Sequence, residues 1–254
     1  MTTSGFRTII TGASSGIGLA TAQKLAKSGH RLTLVDRDAA ILEAASKTID
    51  CSDMLLAVGD VTDAARVEEI VAESVARFGG VDGLVTSAGI VRTGTALEVD
   101  VETFRAHLDV NVTGSWLYAQ AVARHMIKQQ SGSIVMIGSV YGAAGAPARA
   151  AYCASKGAVH NLVQALAVEW GPLGIRVNAV APTGVRTPMV QALIDSGSFN
   201  TEGVKARTPL GRLAEADEVA DGCAFLLSDA SRMITGDILR VDGGWLANGY
   251  IQSK

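Results

Sequence analysis

The stretch that decides the fold reads Thr8-Ile9-Ile10-Thr11-Gly12-Ala13-Ser14-Ser15-Gly16-Ile17-Gly18-Leu19. A short β-branched run ends in a glycine-rich turn, and a segment of helical period through Leu19, Ala22 and Leu25 follows at once. Glycines there let the backbone turn sharply and approach a pyrophosphate, whose charge is met by amides at the helix N-terminus. Gly12, Ser14, Ser15, Gly16, Ile17 and Gly18 are therefore expected to bind a dinucleotide. The spacing differs from G-x-G-x-x-G, and a merely tight strand-to-helix turn would look similar. No Gly-Lys-Ser/Thr is present, which disfavours a triphosphate P-loop.

Outward from this turn the same alternation continues. Strands are expected at Thr8–Thr11, Leu32–Asp36, Met54–Val58, Gly83–Thr86, Ser133–Ile137, Arg176–Val180 and Ile238–Val241. Most are continuous apolar runs, as in a parallel sheet covered by helices on both faces. One helix is expected after Thr62 as N-cap, with Val67, Ile70, Val71, Ser74, Val75 and Phe78 on one face and Gly79 as its stop. A longer one spans Asp100 to Gln129, with Phe104, Leu108, Val112, Ser115, Ala119 and Val122 on one stripe. No linker or repeat divides residues 1–254, so a single α/β domain is expected. Residues 183–214 hold no clear strand; a connection of that length in a compact domain reads as a substrate lid, with a short amphipathic helix through Met189, Val190, Leu193 and Ile194.

Composition narrows the function. The 254 residues are 48% hydrophobic and 19% charged, enough to build a large core, and the formal net charge is −3. A nucleic-acid binder would carry a basic excess, so nucleic acid is not an expected partner. No apolar run approaches the ~18 residues needed to span a bilayer, and Met1 to Arg7 is too short and polar for a secretion signal. Cys51, Cys153 and Cys223 are odd in number and lack metal spacing, which fits idle thiols in a reducing cytoplasm. No metal is expected.

Further turns point to the same ligand. Asp36 ends the second strand, where a carboxylate can accept from both ribose hydroxyls and repel a 2′-phosphate. Two charges ~4 Å apart interact by roughly 4 kcal/mol at an effective dielectric near 20, so tens-fold discrimination is reasonable. NAD is thus expected over NADP, although Arg37 beside it offers a guanidinium to that phosphate. Asp60-Val61 after the third strand would face the adenine, and Ser87-Ala88-Gly89 after the fourth a ribose.

The chemistry is expected on a helix opening Tyr152-Cys153-Ala154-Ser155-Lys156, where i,i+4 spacing sets Tyr152 and Lys156 on one face. Tyrosine, with a pKa near 10, is a poor base at neutral pH; nearby cations favour the phenolate, and lowering it by about three units takes roughly 4 kcal/mol. Ser139 ends the fifth strand at the same sheet edge. Asn111 interrupts an apolar stripe, either as a satisfied core amide or as part of a polar relay. His30, His107, His125 and His160 match no metal or triad spacing and read as structural.

Together these residues make the chain resemble the short-chain dehydrogenase/reductase family. The resemblance spans Thr11 to Gly18, Asp60, Ala88-Gly89, Asn111, Ser139, Tyr152 to Lys156, Asn178 to Met189 and Val241 to Gly244. It implies a Rossmann-type, doubly wound, seven-stranded parallel sheet and a homotetramer. It also implies roles: Tyr152 exchanges a proton with the substrate hydroxyl, Ser139 orients that oxygen, Lys156 lowers the tyrosine pKa and holds the nicotinamide ribose, and Asn111 carries a water to solvent. Pro182, Val185 and Thr187 would cover the nicotinamide. Two departures stand out. Thr86 replaces an asparagine that braces the central strands, and Pro182-Thr183-Gly184 places its glycine one position late.

An NAD preference suggests oxidation of a secondary alcohol, such as a polyol, sugar alcohol or small hydroxy compound, to its ketone. The substrate pocket is expected from Ser139, Tyr141, Arg149 and Tyr152 on one side and Thr183, Gly184 and Met189 on the other. Arg149 and Arg92 would grip a carboxylate or hydroxyls unless they face solvent. Trp245 to Tyr250 would pack on a partner subunit. The alternatives are a 3-oxoacyl-thioester reductase, which conflicts with Asp36, and a non-catalytic NAD-binding sensor or scaffold, which has no need of all four polar residues.

Overall fold

The computed structural model describes residues 5–249. The tail reading for Tyr250 lies outside them. Seven parallel strands form one sheet: β1 (Arg7–Thr11), β2 (Arg31–Asp36), β3 (Met54–Val58), β4 (Gly83–Thr86), β5 (Gly132–Ile137), β6 (Ile175–Pro182) and, last in the chain, β9 (Ile238–Val241). Their order is β3-β2-β1-β4-β5-β6-β9. This is the doubly wound Rossmann arrangement, and the strands lie within a residue or two of their expected bounds. The order reverses at β1, which pairs with both β2 and β4, and so opens a crevice at the strands' C-terminal ends.

Helices α1 (Gly16–Lys27), α2 (Ala39–Ser46) and α9 (Ala216–Leu227) cover one face, with a core that includes Leu25, Leu34, Val135 and Leu226. The other face carries α3 (Ala64–Phe78), α5 (Gly114–Gln129) and α6 (Ala150–Trp170), packed over Ile9, Leu84, Ile134 and Val177. Both faces are covered, so the central strands are apolar on both sides.

Local chemistry differs from the sequence expectation in three places. Asp63, not Thr62, caps α3: its carboxylate accepts from the amides of Ala65 and Arg66, while Thr62 donates to Asp60. A carboxylate is the better acceptor at a helix N-terminus, because its charge also opposes the macrodipole. The long helix from Asp100 is broken into α4 (Val101–Leu108), a π-helical turn over Asp109–Thr113, and α5. The wider turn advances the phase, so His107, Asn111 and Ser115 face inward, while Phe104 stays 38% exposed instead of joining the stripe.

The third place is the stretch 183–214. It holds α7 (Pro188–Asp195) and α8 (Thr201–Arg207), and it is pinned at its ends by two-residue strands, β7 (Val185–Arg186) and β8 (Ala214–Glu215), paired in parallel. Two-residue strands carry no readable period, so the sequence could not announce them.

Candidate active site

At the C-terminal ends of β1, β4, β5 and β6 lies a half-open cleft. Ile17 enters from the start of α1, Ser87, Gly89 and Ile90 follow β4, and Ile137, Gly138 and Ser139 end β5. Tyr152 and Lys156 face it from α6, while Pro182, Thr183, Val185, Thr187, Met189 and Val190 come from the end of β6 and the stretch beyond.

The glycine-rich turn is built for close approach. Gly12 has φ +64°, and a Cβ there would lie 2.7 Å from the Ala88 amide nitrogen. A Cβ on Gly18 would collide with the Gly12 carbonyl oxygen. Ser15 precedes α1 without using its side chain to cap the first turn, which leaves those amides for a ligand. Asp36 accepts from both the hydroxyl and the amide of Ser14, and from the Arg37 amide at 2.8 Å, so its carboxylate is fixed beside the turn. The Arg37 side chain is exposed. Asp60 accepts from Thr62 twice, which holds its carboxyl below the usual range. Val61 is buried, its side chain packed beneath Gly114, so what it offers a ligand is backbone.

Ser139 has extended backbone (φ −168°) and begins a tight turn over Val140–Gly142, its hydroxyl accepting from the Tyr141 amide at 3.2 Å. Tyr152 faces it from the first turn of α6. Burial pushes the phenol above its ordinary value; a hydrogen bond with Ser139 and the Arg149 guanidinium act in the opposite direction. Lys156 is 6% exposed, donates to the Ile137 carbonyl at 2.7 Å, and stands 5.8 Å from the centre of the Tyr152 ring. Desolvation brings the ammonium down to about 8. In this arrangement the Lys156 ammonium donates to the Ile137 carbonyl while standing beside the Tyr152 ring.

Asn111 occupies the π turn and is 1% exposed. Its Oδ1 accepts from the Ile90 amide at 2.8 Å, and its Nδ2 donates to the Ile90 carbonyl at 3.1 Å and the Ser155 hydroxyl at 2.9 Å. The amide is thus satisfied, and it clasps the loop carrying Gly89 and Ile90 to the helix carrying Tyr152.

Tyr141, Arg149 and Gly184 do not line the cleft. Tyr141 stands behind Tyr152, ring centres 6.5 Å apart, with Trp245 on its other side at 5.6 Å. Gly184 faces Phe199 and Leu213, because the late glycine turns that position toward the packing of the 183–214 stretch. Arg92 is exposed, and its amide donates to buried His107.

Ile90 lines the cleft without having been expected there, and His160, read from the sequence as structural, packs just behind it. His160 falls one turn beyond Lys156 and two beyond Tyr152, on the same helix face. Its ring fills a niche left by Gly138 and Gly142, where any Cβ would strike the imidazole, and its Nε2 lies 3.5 Å from the Ser139 amide. The i,i+4,i+8 spacing was the available signal. Among the described residues no group of His, Cys, Asp or Glu is arranged to hold a metal, and no helix is long and apolar enough to cross a membrane.

A doubly wound sheet with a glycine-rich first turn, and a serine, tyrosine and lysine at the switch-point crevice, defines a class of dinucleotide-dependent oxidoreductases. A family model described as "Enoyl-(Acyl carrier protein) reductase" matches residues 12–246. The chain belongs to the short-chain dehydrogenase/reductase family. It is 43% identical over 238 residues to the galactitol 2-dehydrogenase (L-tagatose-forming) of Cereibacter sphaeroides, covering 93% of each chain. It is 40% identical over 241 residues to the cis-4-hydroxycyclohexanecarboxylate dehydrogenase of Sinomonas cyclohexanicum, covering 94% of this chain and 96% of that one. Its fold matches a gluconate 5-dehydrogenase from Burkholderia cenocepacia J2315, solved with NADP and tartrate, at a TM-score of 0.88 with 36% identity and 96% of each chain covered.

Proposed function

We propose that this protein is a dehydrogenase of secondary alcohols, acting on a polyol, sugar alcohol or small hydroxy compound and preferring NAD to NADP. The observation that carries the reading is convergence. Ser139, Tyr152 and Lys156 open onto the same cleft as Ile17, Ser87, Gly89, Pro182, Val185 and Thr187. The residues fit a dinucleotide: neither Gly12 nor Gly18 admits a Cβ, the first amides of α1 lack a side-chain cap, and Asp36 is held where a ribose would lie. Its carboxylate supports NAD, since a 2′-phosphate there would meet like charge.

When bound, the oxidised nicotinamide supplies the hydride acceptor. Ser139 and Tyr152 hold the alcohol oxygen, and Tyr152 accepts its proton as the carbinol carbon is oxidised. Lys156 would hold the nicotinamide ribose and favour the phenolate. Asn111 keeps the Ile90 loop against α6 and carries the water that connects Lys156 to solvent. Thr187 would reach the carboxamide, Thr183 and Met189 would border the substrate, and residues 183–214 would act as a lid. Free thiols at Cys51, Cys153 and Cys223 support a reducing, cytoplasmic setting. Exposed Trp116 on α5 and Val168 on α6 support a homotetramer built on that face.

The test is Tyr152→Phe, measured by cofactor reduction across a panel of polyols, sugars, hydroxy acids and simple alcohols. Turnover should fall by about 10³-fold, because general acid–base groups contribute in that range, while NADH binding persists. A variant as active as the wild type would overturn the reading.

A further inference from the structure

Two glycines bracket the serine of the cleft, and neither is demanded by its backbone: Gly138 and Gly142 both lie outside the left-handed region. What bars a side chain at each is the imidazole of His160. A Cβ on Gly142 would lie 2.6 Å from its Nδ1 and 2.7 Å from its Nε2, and one on Gly138 would lie 2.6 Å from the same Nε2. Carbon atoms pack at about 3.5–4.0 Å, so the ring is seated directly on the backbone at both ends of the Ser139 turn.

The sheet does not hold Ser139. The Gly138 amide still reaches β6, donating to the Val180 carbonyl at 2.8 Å, but the chain then leaves the ladder. The Ser139 amide turns to His160 instead, with Nε2 as acceptor at 3.5 Å. An acceptor there puts the ring proton on Nδ1 and leaves the imidazole neutral. Burial and the Lys156 ammonium both lower its pKa, which keeps it so. His160 lies two turns beyond Tyr152 on α6, and therefore joins the turn that carries the serine to the helix that carries the tyrosine. It does not line the cleft, so anything it does for the reaction passes through Ser139.

We propose that His160 is a positioning residue for Ser139: seated between Gly138 and Gly142, it sets the serine hydroxyl where it and Tyr152 reach the same alcohol oxygen. The inference rests on the proposed alcohol-dehydrogenase reading. Ser139 comes from the end of β5 and Tyr152 from the first turn of α6, so their spacing is only as fixed as the contact between those two elements. A misplacement of ~1 Å at a reacting centre costs on the order of 10²-fold in rate. His160 exchanges no proton in the reaction, since its acceptor nitrogen is taken up by the Ser139 amide.

The experiment measures kcat, KM and NADH binding for wild type, His160→Leu, His160→Gln, Ser139→Ala and Ser139→Ala/His160→Leu. The substrates are NAD and whichever alcohol of the panel above the wild type oxidises fastest, and the Ser139→Ala rates are read at high enzyme concentration. His160→Leu should lower kcat by about ten-fold or more while NADH affinity stays within about two-fold, because the shift falls on the serine and not on the cofactor cradle. His160→Gln, which still offers an acceptor, should recover part of that loss. In the Ser139→Ala background the same His160→Leu change should cost less than about two-fold, since the group it positions is gone. If His160 only packs α6, the change will cost the same factor in both backgrounds, which overturns the inference, as does an unchanged kcat in His160→Leu. Should that variant fail to fold, Gly142→Ala carries the same comparison: its backbone accepts alanine, its Cβ strikes the imidazole, and its loss should likewise vanish without Ser139. Each of these failures leaves the dehydrogenase reading standing; cofactor binding with no turnover of any alcohol overturns both.

Discussion

At the scale of single residues, orientation matters as much as identity. Asp36 takes both hydrogen bonds offered by Ser14 and the amide of Arg37, so its carboxylate is aimed before any ligand arrives. Replacing it with alanine removes both the acceptors for ribose hydroxyls and the repulsion toward a 2′-phosphate. The ratio of kcat/KM for NADP to that for NAD should rise by about ten-fold or more in Asp36→Ala, as expected for a lost charge–charge contact ~4 Å away. An unchanged ratio would remove Asp36 as the selector. Thr86 shows the converse. Its hydroxyl is buried without a partner among the described residues, so it does not do the bracing an asparagine there would do. Thr11 does part of it, since its hydroxyl accepts from the Ala88 amide at 3.2 Å and ties the end of β1 to the turn after β4.

At the scale of elements, the π turn between α4 and α5 is the feature with most consequence. It inserts an extra residue into the helical phase and turns Asn111 inward, where two hydrogen bonds to Ile90 and one to Ser155 tie the loop after β4 to α6. Asn111→Leu would strip the half-buried Ile90 amide and carbonyl of their partner, each orphaned group costing up to about 1–3 kcal/mol. Thermal unfolding should shift down by several degrees for a chain of this size. Turnover should fall more than NADH affinity, since the loss falls on the catalytic side of the cleft. Retained turnover with an unchanged melting temperature would show that the clasp is dispensable. Element ends follow the same logic: Asp63 displaces Thr62 as the α3 cap because a helix terminus rewards charge as well as hydrogen bonding.

Across the whole molecule, both faces of the sheet are sealed, and titratable groups caught inside couple stability to pH. His30 is 3% exposed, bonded through Nδ1 to the Thr8 hydroxyl at 2.9 Å and packed on Phe6. Burial lowers its pKa from 6.5 to about 4. The folded state therefore holds the neutral ring, and between those two values the unfolded chain binds more protons. Its stabilisation is complete above pH 6.5 and is lost as the pH falls toward 4, by about 2–3 kcal/mol. Urea midpoints should drop across that window, and His30→Gln should flatten the dependence. An identical slope in the variant would assign the acid sensitivity elsewhere.

The sequence by itself determined the sheet, because apolar runs buried on both faces and glycines at strand ends leave marks within a few adjacent residues. Thr8 to Leu19, Tyr152 to Lys156 and Ser139 could be read for the same reason: their chemistry depends on local spacing. Tertiary structure alone decided what depends on residues far apart in the chain meeting in space. The niche that Gly138 and Gly142 leave for His160 is of this kind, as are the pairing of β7 with β8 across the 183–214 stretch and the enclosure of Arg149 by Ser198 and Tyr141. Burial is a property of the assembled fold. Whether an arginine is a solvated surface charge or an enclosed cation is therefore settled only when the elements around it have packed.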